Sequence, residues 1–152
     1  MSVTLHPVTL RDLEALAALH ARCFPDDAWD ATALAGVLAM RGASGRFAAT
    51  PGRTMAGFLF DLIQGEEAEI LTLGVHPDER RSGIARLLLE ELGARATAAG
   101  AVKLLLEVAA DNEAALALYR ACGFRAVGRR PGYYRYGPGA PVDAWLLRRA
   151  LP

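Results

Sequence analysis

From Val75 to Leu89 the chain leaves an apolar strand pattern, crosses the turn His76-Pro77-Asp78-Glu79-Arg80-Arg81-Ser82-Gly83, and enters an apolar helix pattern directly. A junction of this kind fixes a strand-turn-helix unit and constrains the turn chemically. The first N–H groups of a helix have no partner within it, and the positive end of its dipole lies behind them, so the turn favours an anion. Gly83 allows close backbone approach, and Arg80, Arg81 and Arg86 add positive charge. The spacing lacks the terminal Gly-Lys-Ser/Thr of a Walker loop and the three glycines of G-x-G-x-x-G. Taken alone, Arg-x-x-Gly-x-Ala reads either as an anion cradle or as an ordinary capped turn.

At 152 residues the chain is long enough for one domain with a full core, and residues 1–152 are expected to form a single unit. Acidic and basic residues balance at 17 each, which predicts no bulk nucleic-acid or anionic-membrane partner. Met1 to Thr9 has no charged start leading into an apolar run, and no stretch reaches the ~18 apolar residues of a membrane span. The chain is therefore expected to be cytoplasmic. Cys23 and Cys122 lack C-x-x-C spacing and read as reduced core thiols, with a pairing of the two as the alternative; His6, His20 and His76 lack the i, i+4 spacing of a zinc pair, and no metal is expected.

The apolar period divides the rest. Val3 to Val8 reads as a strand, and a helix opens at Thr9 with Leu13, Leu16, Ala17, Leu19 and His20 on its inner face. A second helix opens after Asp30 and turns Leu34, Val37 and Leu38 inward, with Gly42 and Gly45 as breakers. Three strands follow as a meander, Phe47 to Thr50, Thr54 to Ile63 and Ala68 to His76. The helix Gly83 to Ala99 has Ile84, Leu87, Leu88 and Leu92 on one face and Gly100 at its end. Val102 to Val108 reads as a strand apolar on both faces, Asn112 to Cys122 as a helix, and Phe124 to Val127 and Val142 to Leu147 as strands joined by an Arg/Gly/Pro/Tyr-rich loop. This order gives a mixed α/β sheet in which the strand-helix-strand unit from Ala68 to Val108 is parallel and right-handed. A ligand is expected beyond the carboxyl ends of those strands, where the Arg80 to Ala85 loop emerges.

Two segments in the expected order carry a family resemblance. Arg80 to Ala85 resembles the acetyl-coenzyme A loop of the GCN5-related N-acetyltransferases, and Asn112-Glu113-Ala114-Ala115-Leu116-Ala117-Leu118-Tyr119 through Gly123-Phe124 resembles their second signature. Within that family, Leu106-Glu107-Val108 with Asn112, and Arg130-Pro131-Gly132-Tyr133-Tyr134, are similar to patterns of the bacterial ribosomal-protein-alanine N-acetyltransferases. The resemblance implies a mostly antiparallel central sheet of six to seven strands flanked by about four helices. It also implies acetyl-coenzyme A (acetyl-CoA) as cosubstrate, held by Leu73, Gly74, Val75, Arg81, Ser82, Gly83, Ile84, Ala85, Arg86 and Asn112. Glu107 would be the base and Tyr119 the acid.

Elementary chemistry agrees with the last two roles. An α-ammonium, with a pKa of ~8, must lose a proton before it attacks a thioester. Glu107 follows an unbroken apolar run, where partial desolvation suits a carboxylate to proton abstraction, directly or through a water; the competing reading is a solvated strand-end carboxylate. The leaving thiolate needs a proton, which Tyr119 can supply if it is more than a core aromatic. Attack is then direct, in a ternary complex, with the oxyanion held by backbone N–H, that of Val75 being the candidate.

On the acceptor side, Trp29 within Phe24 to Asp30, together with Tyr133 and Tyr134, is expected to line the site; packing tyrosines look the same in sequence. Gly74 stands where the subgroup has alanine, an exchange expected to leave cofactor approach intact. The implied activity is acetylation of a protein N-terminus, an alanine of a small-subunit ribosomal protein. Acetylation of a small amine and a non-catalytic acetyl-CoA-binding module are the alternatives.

Overall fold

A computed structural model of the chain describes residues 2–135 and 138–152. Seven strands form one sheet: β1 (Thr4–Pro7), β2 (Ala43–Thr50), β3 (Arg53–Gln64), β4 (Glu67–Val75), β5 (Lys103–Ala109), β6 (Arg125–Tyr134) and β7 (Val142–Ala150). Four α-helices accompany them: α1 (Leu13–Cys23), α2 (Ala31–Leu38), α3 (Ile84–Ala98) and α4 (Glu113–Ala121). The sheet order is β1-β2-β3-β4-β5-β7-β6, antiparallel throughout except for β4 and β5, which are parallel and joined through α3.

Strand alternation sends side chains to two cores. On one face α3 and α4 cover Leu59, Ile70, Leu104, Leu106, Val108 and Leu147; on the other, Leu13, Leu16 and Leu19 of α1 and Leu34 of α2 pack on Phe58 and Phe60. Each large aliphatic side chain fully buried in this way contributes about 1.5–3 kcal/mol. Helix starts are set locally. Asp30 accepts from the Ala33 N–H and Asn112 from the Ala115 N–H, each satisfying a donor that the helix leaves over.

The structure corrects the sequence reading in several places. Gly45 lies inside β2, which starts at Ala43 rather than Phe47. Leu87 is 44% exposed, and Leu89 takes the buried place on α3. Val102 is also half-exposed, so β5 is buried on one face and only half-covered on the other. The expected Arg/Gly/Pro/Tyr-rich loop is largely strand, since β6 continues to Tyr134; Tyr136 and Gly137 lie outside the described residues. Pro131 is tolerated because β6 is an edge strand and pairs irregularly with β7 between Arg130 and Tyr134. Asp143 holds that irregularity, accepting from the Gly132 N–H at 2.8 Å and from Arg129 Nε at 2.7 Å.

Candidate active site

The site begins with a mismatch between strands. Opposite β3, Phe60 pairs with Thr72 and Asp61 with Ile70, so Leu71 is an extra residue in β4. A bulge of this kind bends its strand. On its other edge β4 pairs with β5 only from Glu67↔Lys103 to Ile70↔Leu106, although β5 continues alongside β7 as far as Ala109↔Ala144. Past the bulge the two parallel strands part.

The separation frees backbone groups. The His76 N–H donates to the Ala56 carbonyl, and alternation along an antiparallel ladder then turns the N–H groups of Leu73 and Val75 away from β3, toward the side β5 has left. The Val75 carbonyl accepts from Arg80 Nε at 3.2 Å and from Cys23 Sγ at 3.4 Å.

Two cavities meet at this opening. One, of about 890 Å³, lies between β4, the loop before α3 and one side of α4; Leu73, Gly74, Val75, Arg81, Gly83, Ile84, Ala85, Arg86 and Asn112 all line it. Its loop is strained. Arg81 has φ +64° without being glycine, and Gly83, at the N-cap of α3 rather than within the helix, has φ +85°. A Cβ on Gly83 would meet nothing within 4 Å, which leaves the helix N-terminus open to an incoming anion. Ser82 does not line this cavity; its hydroxyl donates to the Glu79 carbonyl and secures the turn. Gly74 packs closely from the other side: a Cβ there would lie 2.6 Å from Phe58 Cζ and 3.0 Å from Cys23 Sγ.

The second cavity, of about 600 Å³, is lined by Trp29, Glu107, Tyr119, Tyr133 and Tyr134, and shares Phe24, Leu73, Asn112, Ala115 and Tyr119 with the first. Glu107 alternates with the buried Leu106 and Val108 and so faces the side opposite α3 and α4. Tyr119 comes from α4, and the gap between β4 and β5 brings the two to one space. Glu107 Oε1 is 3.2 Å from Arg130 Nη2, while Oε2 is buried without a hydrogen-bond partner among the described residues. Burial pushes the Tyr119 phenol well above its ordinary range, and its ring packs edge-on to Phe124.

Among the residues lining this cavity that sequence reasoning did not assign to the site are Glu69, Thr72 and His20. Glu69 sits on β4, and burial followed by the charge of Glu107 raises its carboxyl pKa. His20, only 2% exposed, accepts the Trp29 N–H at Nδ1. Its proton must then be on Nε2, where it donates to Thr72 Oγ1 at 3.0 Å. The ring lies against Phe24, Trp29 and Phe58, and burial lowers its pKa to about 4. In this way α1 ties the Trp29 segment to β4. Among the described residues no group of three His, Cys, Asp or Glu side chains could hold a metal, and no helix is long and apolar enough to cross a membrane.

Comparison with known proteins matches this architecture. The model of the acetyltransferase (GNAT) family covers residues 13–124. The N-alpha-acetyltransferase RimI of Mycobacterium tuberculosis is 40% identical over 152 residues, spanning 97% of this chain and 92% of that protein. A Mycobacterium leprae protein is 46% identical over 83 residues, which are 55% of this chain but only 21% of that longer protein. The crystal structure of the ribosomal-protein-S18-alanine N-acetyltransferase from Escherichia coli superposes with a TM-score of 0.88 at 29% identity, covering 99% of this chain and 94% of the other. The chain belongs to the GCN5-related N-acetyltransferase (GNAT) family and is an acetyl-CoA-dependent acyltransferase.

Proposed function

We propose that this chain, acting as one domain, transfers the acetyl group of acetyl-CoA to the α-amine of a protein N-terminus, the favoured acceptor being the N-terminal alanine of a small-subunit ribosomal protein. The observation that carries this reading is the buried Oε2 of Glu107, without a hydrogen-bond partner among the described residues, in a cavity that opens, past Tyr119, onto the cofactor-sized cavity. Likeness to the mycobacterial and E. coli enzymes supports the acceptor.

The larger cavity suits acetyl-CoA, whose thioester supplies the activated acyl group. Its pyrophosphate would meet the open N–H groups from Gly83 to Arg86 with the charge of Arg81 and Arg86, while the freed edge of Leu73 to Val75 would take the pantetheine amides. Asn112 lies where the two cavities meet, but its Oδ1 is engaged in capping α4, leaving its Nδ2 for a ligand. Glu107 accepts the proton of the α-ammonium, directly or through one water, and the neutral amine attacks in a ternary complex. The Val75 N–H, turned into the opening, stabilises the developing oxyanion, and the Tyr119 phenol protonates the departing thiolate. Trp29, Tyr133 and Tyr134 wall the acceptor channel, giving an extended peptide amphipathic surfaces at low conformational cost.

Acetyl transfer measured against N-terminal peptides that differ only in the first residue, beside a panel of small amines, tests this reading. Turnover should be fastest with alanine and fall with bulkier residues. Turnover of small amines alone would instead assign the enzyme to small-molecule acetylation.

A further inference from the structure

Two charged groups that act near Glu107 come from different strands and have opposite signs. Arg130 of β6 places Nη2 3.2 Å from Glu107 Oε1, and its guanidinium carbon lies 5.4 Å from the centroid of the Tyr133 ring. The Arg130 side chain is 59% exposed and that of Glu107 is 17% exposed. Arg130 therefore reaches from the edge strand to Glu107, beside an aromatic proposed to wall the acceptor channel, and engages one carboxylate oxygen while the other has no hydrogen-bond partner among the described residues. Glu69 stands on β4 one parallel rung below the opening, with Glu69↔Leu105 in register and Glu107 two residues beyond Leu105 on the same face. It lines the same cavity and has no hydrogen bond or ion pair among the described residues.

We propose that Arg130 and Glu69 are opposed positioning residues for the transfer reaction: Arg130 fixes Glu107 by Oε1 so that Oε2 faces the acceptor amine, while Glu69, a second negative charge on the same face, offsets that cation and keeps Glu107 able to accept a proton. The inference rests on the reading of Glu107 as the base. With Arg130 alone, an adjacent fixed cation would hold Glu107 as an ion-paired carboxylate and weaken it as a base; with Glu69 alone, two carboxylates would compete for one proton. Burial and then the Glu107 charge raise the Glu69 carboxyl pKa, Arg130 lowers it, and Glu67, which pairs with Lys103, adds a smaller rise. The arrangement also couples the acceptor wall to the base, because a peptide that moves Tyr133 moves the guanidinium stacked on it.

The remaining titratable or charged groups around the cavity do not take over this role. His20 is neutral with both ring nitrogens engaged, burial raises the Tyr119 pKa, and Asp27 and Arg135 are exposed at the rim. Tyr133 and Tyr134 supply the aromatic walls.

The test is the pH profile of kcat at saturating peptide and acetyl-CoA, where the acidic limb reports the base within the ternary complex. Arg130→Gln should move that limb to higher pH and Glu69→Gln to lower pH, each by ~0.5 pH unit or more, the scale of one nearby charge in a partly solvated site. Arg130→Lys should restore the limb by charge yet leave KM for the peptide raised, because a lysine lacks the planar fork that stacks on Tyr133. Melting temperature and acetyl-CoA binding, measured alongside, identify any variant that has not folded, and Arg130→Lys then serves as the folded comparison. Glu107→Gln separates the two claims. If it retains the wild-type rate, the reading of Glu107 as base falls, and this inference with it. If it abolishes turnover while both single variants leave the limb unmoved, or move it in the same direction, the opposed pair is overturned and the base stands.

Discussion

Ile70 and Leu106 are the last residues of β4 and β5 to pair, and Glu107 is the first residue of β5 past that rung. The bulge at Leu71 ends the ladder by bending β4 away. Everything proposed for the chemistry depends on this separation, because it joins a carboxylate on one face of the sheet to a phenol from α4 on the other, and it exposes backbone N–H groups at Leu73 and Val75 between them.

Glu107→Gln and Tyr119→Phe should each lower kcat by ~10²-fold or more while acetyl-CoA affinity stays within a few-fold, the usual scale for general acid and base groups. Tyr119→Phe keeps the packing of a ring that is 7% exposed, so the melting temperature should change little. Stopped-flow turnover and calorimetric titration check both. Full activity in either variant would remove that residue from the mechanism.

Glycines at two positions should fail for different reasons. Gly74→Ala drives a methyl group into the buried Phe58 ring and should destabilise the fold by about 1–3 kcal/mol, as overpacking does. Gly83→Val meets open space in the protein and carries mainly the cost of φ +85°, roughly 1–2 kcal/mol, but it obstructs the approach of a pyrophosphate. Chemical denaturation should therefore find both variants destabilised without ligand, but only Gly83→Val should lose the thermal shift that acetyl-CoA gives the wild type.

His20 makes stability depend on acidity. Its pKa falls from the ordinary 6.5 to about 4 in the fold, so the unfolded chain takes up the proton first. Above pH 6.5 the group costs nothing; between pH 6.5 and 4 the fold loses stability progressively, by up to roughly 3 kcal/mol. Urea denaturation across that range should show the loss, and His20→Gln, lower in stability at neutral pH, should show a shallower decline. An identical slope in the two proteins would refute the assignment.

Acceptor binding should depend on the irregular end of β6. Asp143→Ala releases the Gly132 N–H and Arg129, and Tyr134→Ala removes part of the lining of the smaller cavity, the proposed acceptor channel. Both should raise KM for the peptide more than they weaken acetyl-CoA binding, a split that steady-state kinetics and calorimetry resolve.

Local signals made much of this readable in the sequence. Asp30 and Asn112 cap helices where their side chains predict, and the turn into α3 shows in the change of apolar period at Gly83. What depends on distant contacts was not readable. Pro131 and Gly132 read as loop because their strand character rests on Asp143 and an edge position. Nothing in the sequence marks Glu69, which gains Glu107 as a neighbour only through the β4–β5 register, or the contact of Gly74 with Phe58 of another strand. The bulge at Leu71 leaves no mark in composition, since a one-residue excess exists only relative to β3.

The most direct measurement pairs two peptides with the wild-type enzyme and acetyl-CoA, following thiol release and locating the acetyl group by mass spectrometry. One peptide begins with a free alanine and contains no lysine; the other has its α-amine blocked and carries a lysine. Thiol release with the first peptide alone, with the acetyl group on the α-nitrogen, is the predicted result. Acetylation of the lysine peptide with the free alanine untouched would contradict the account.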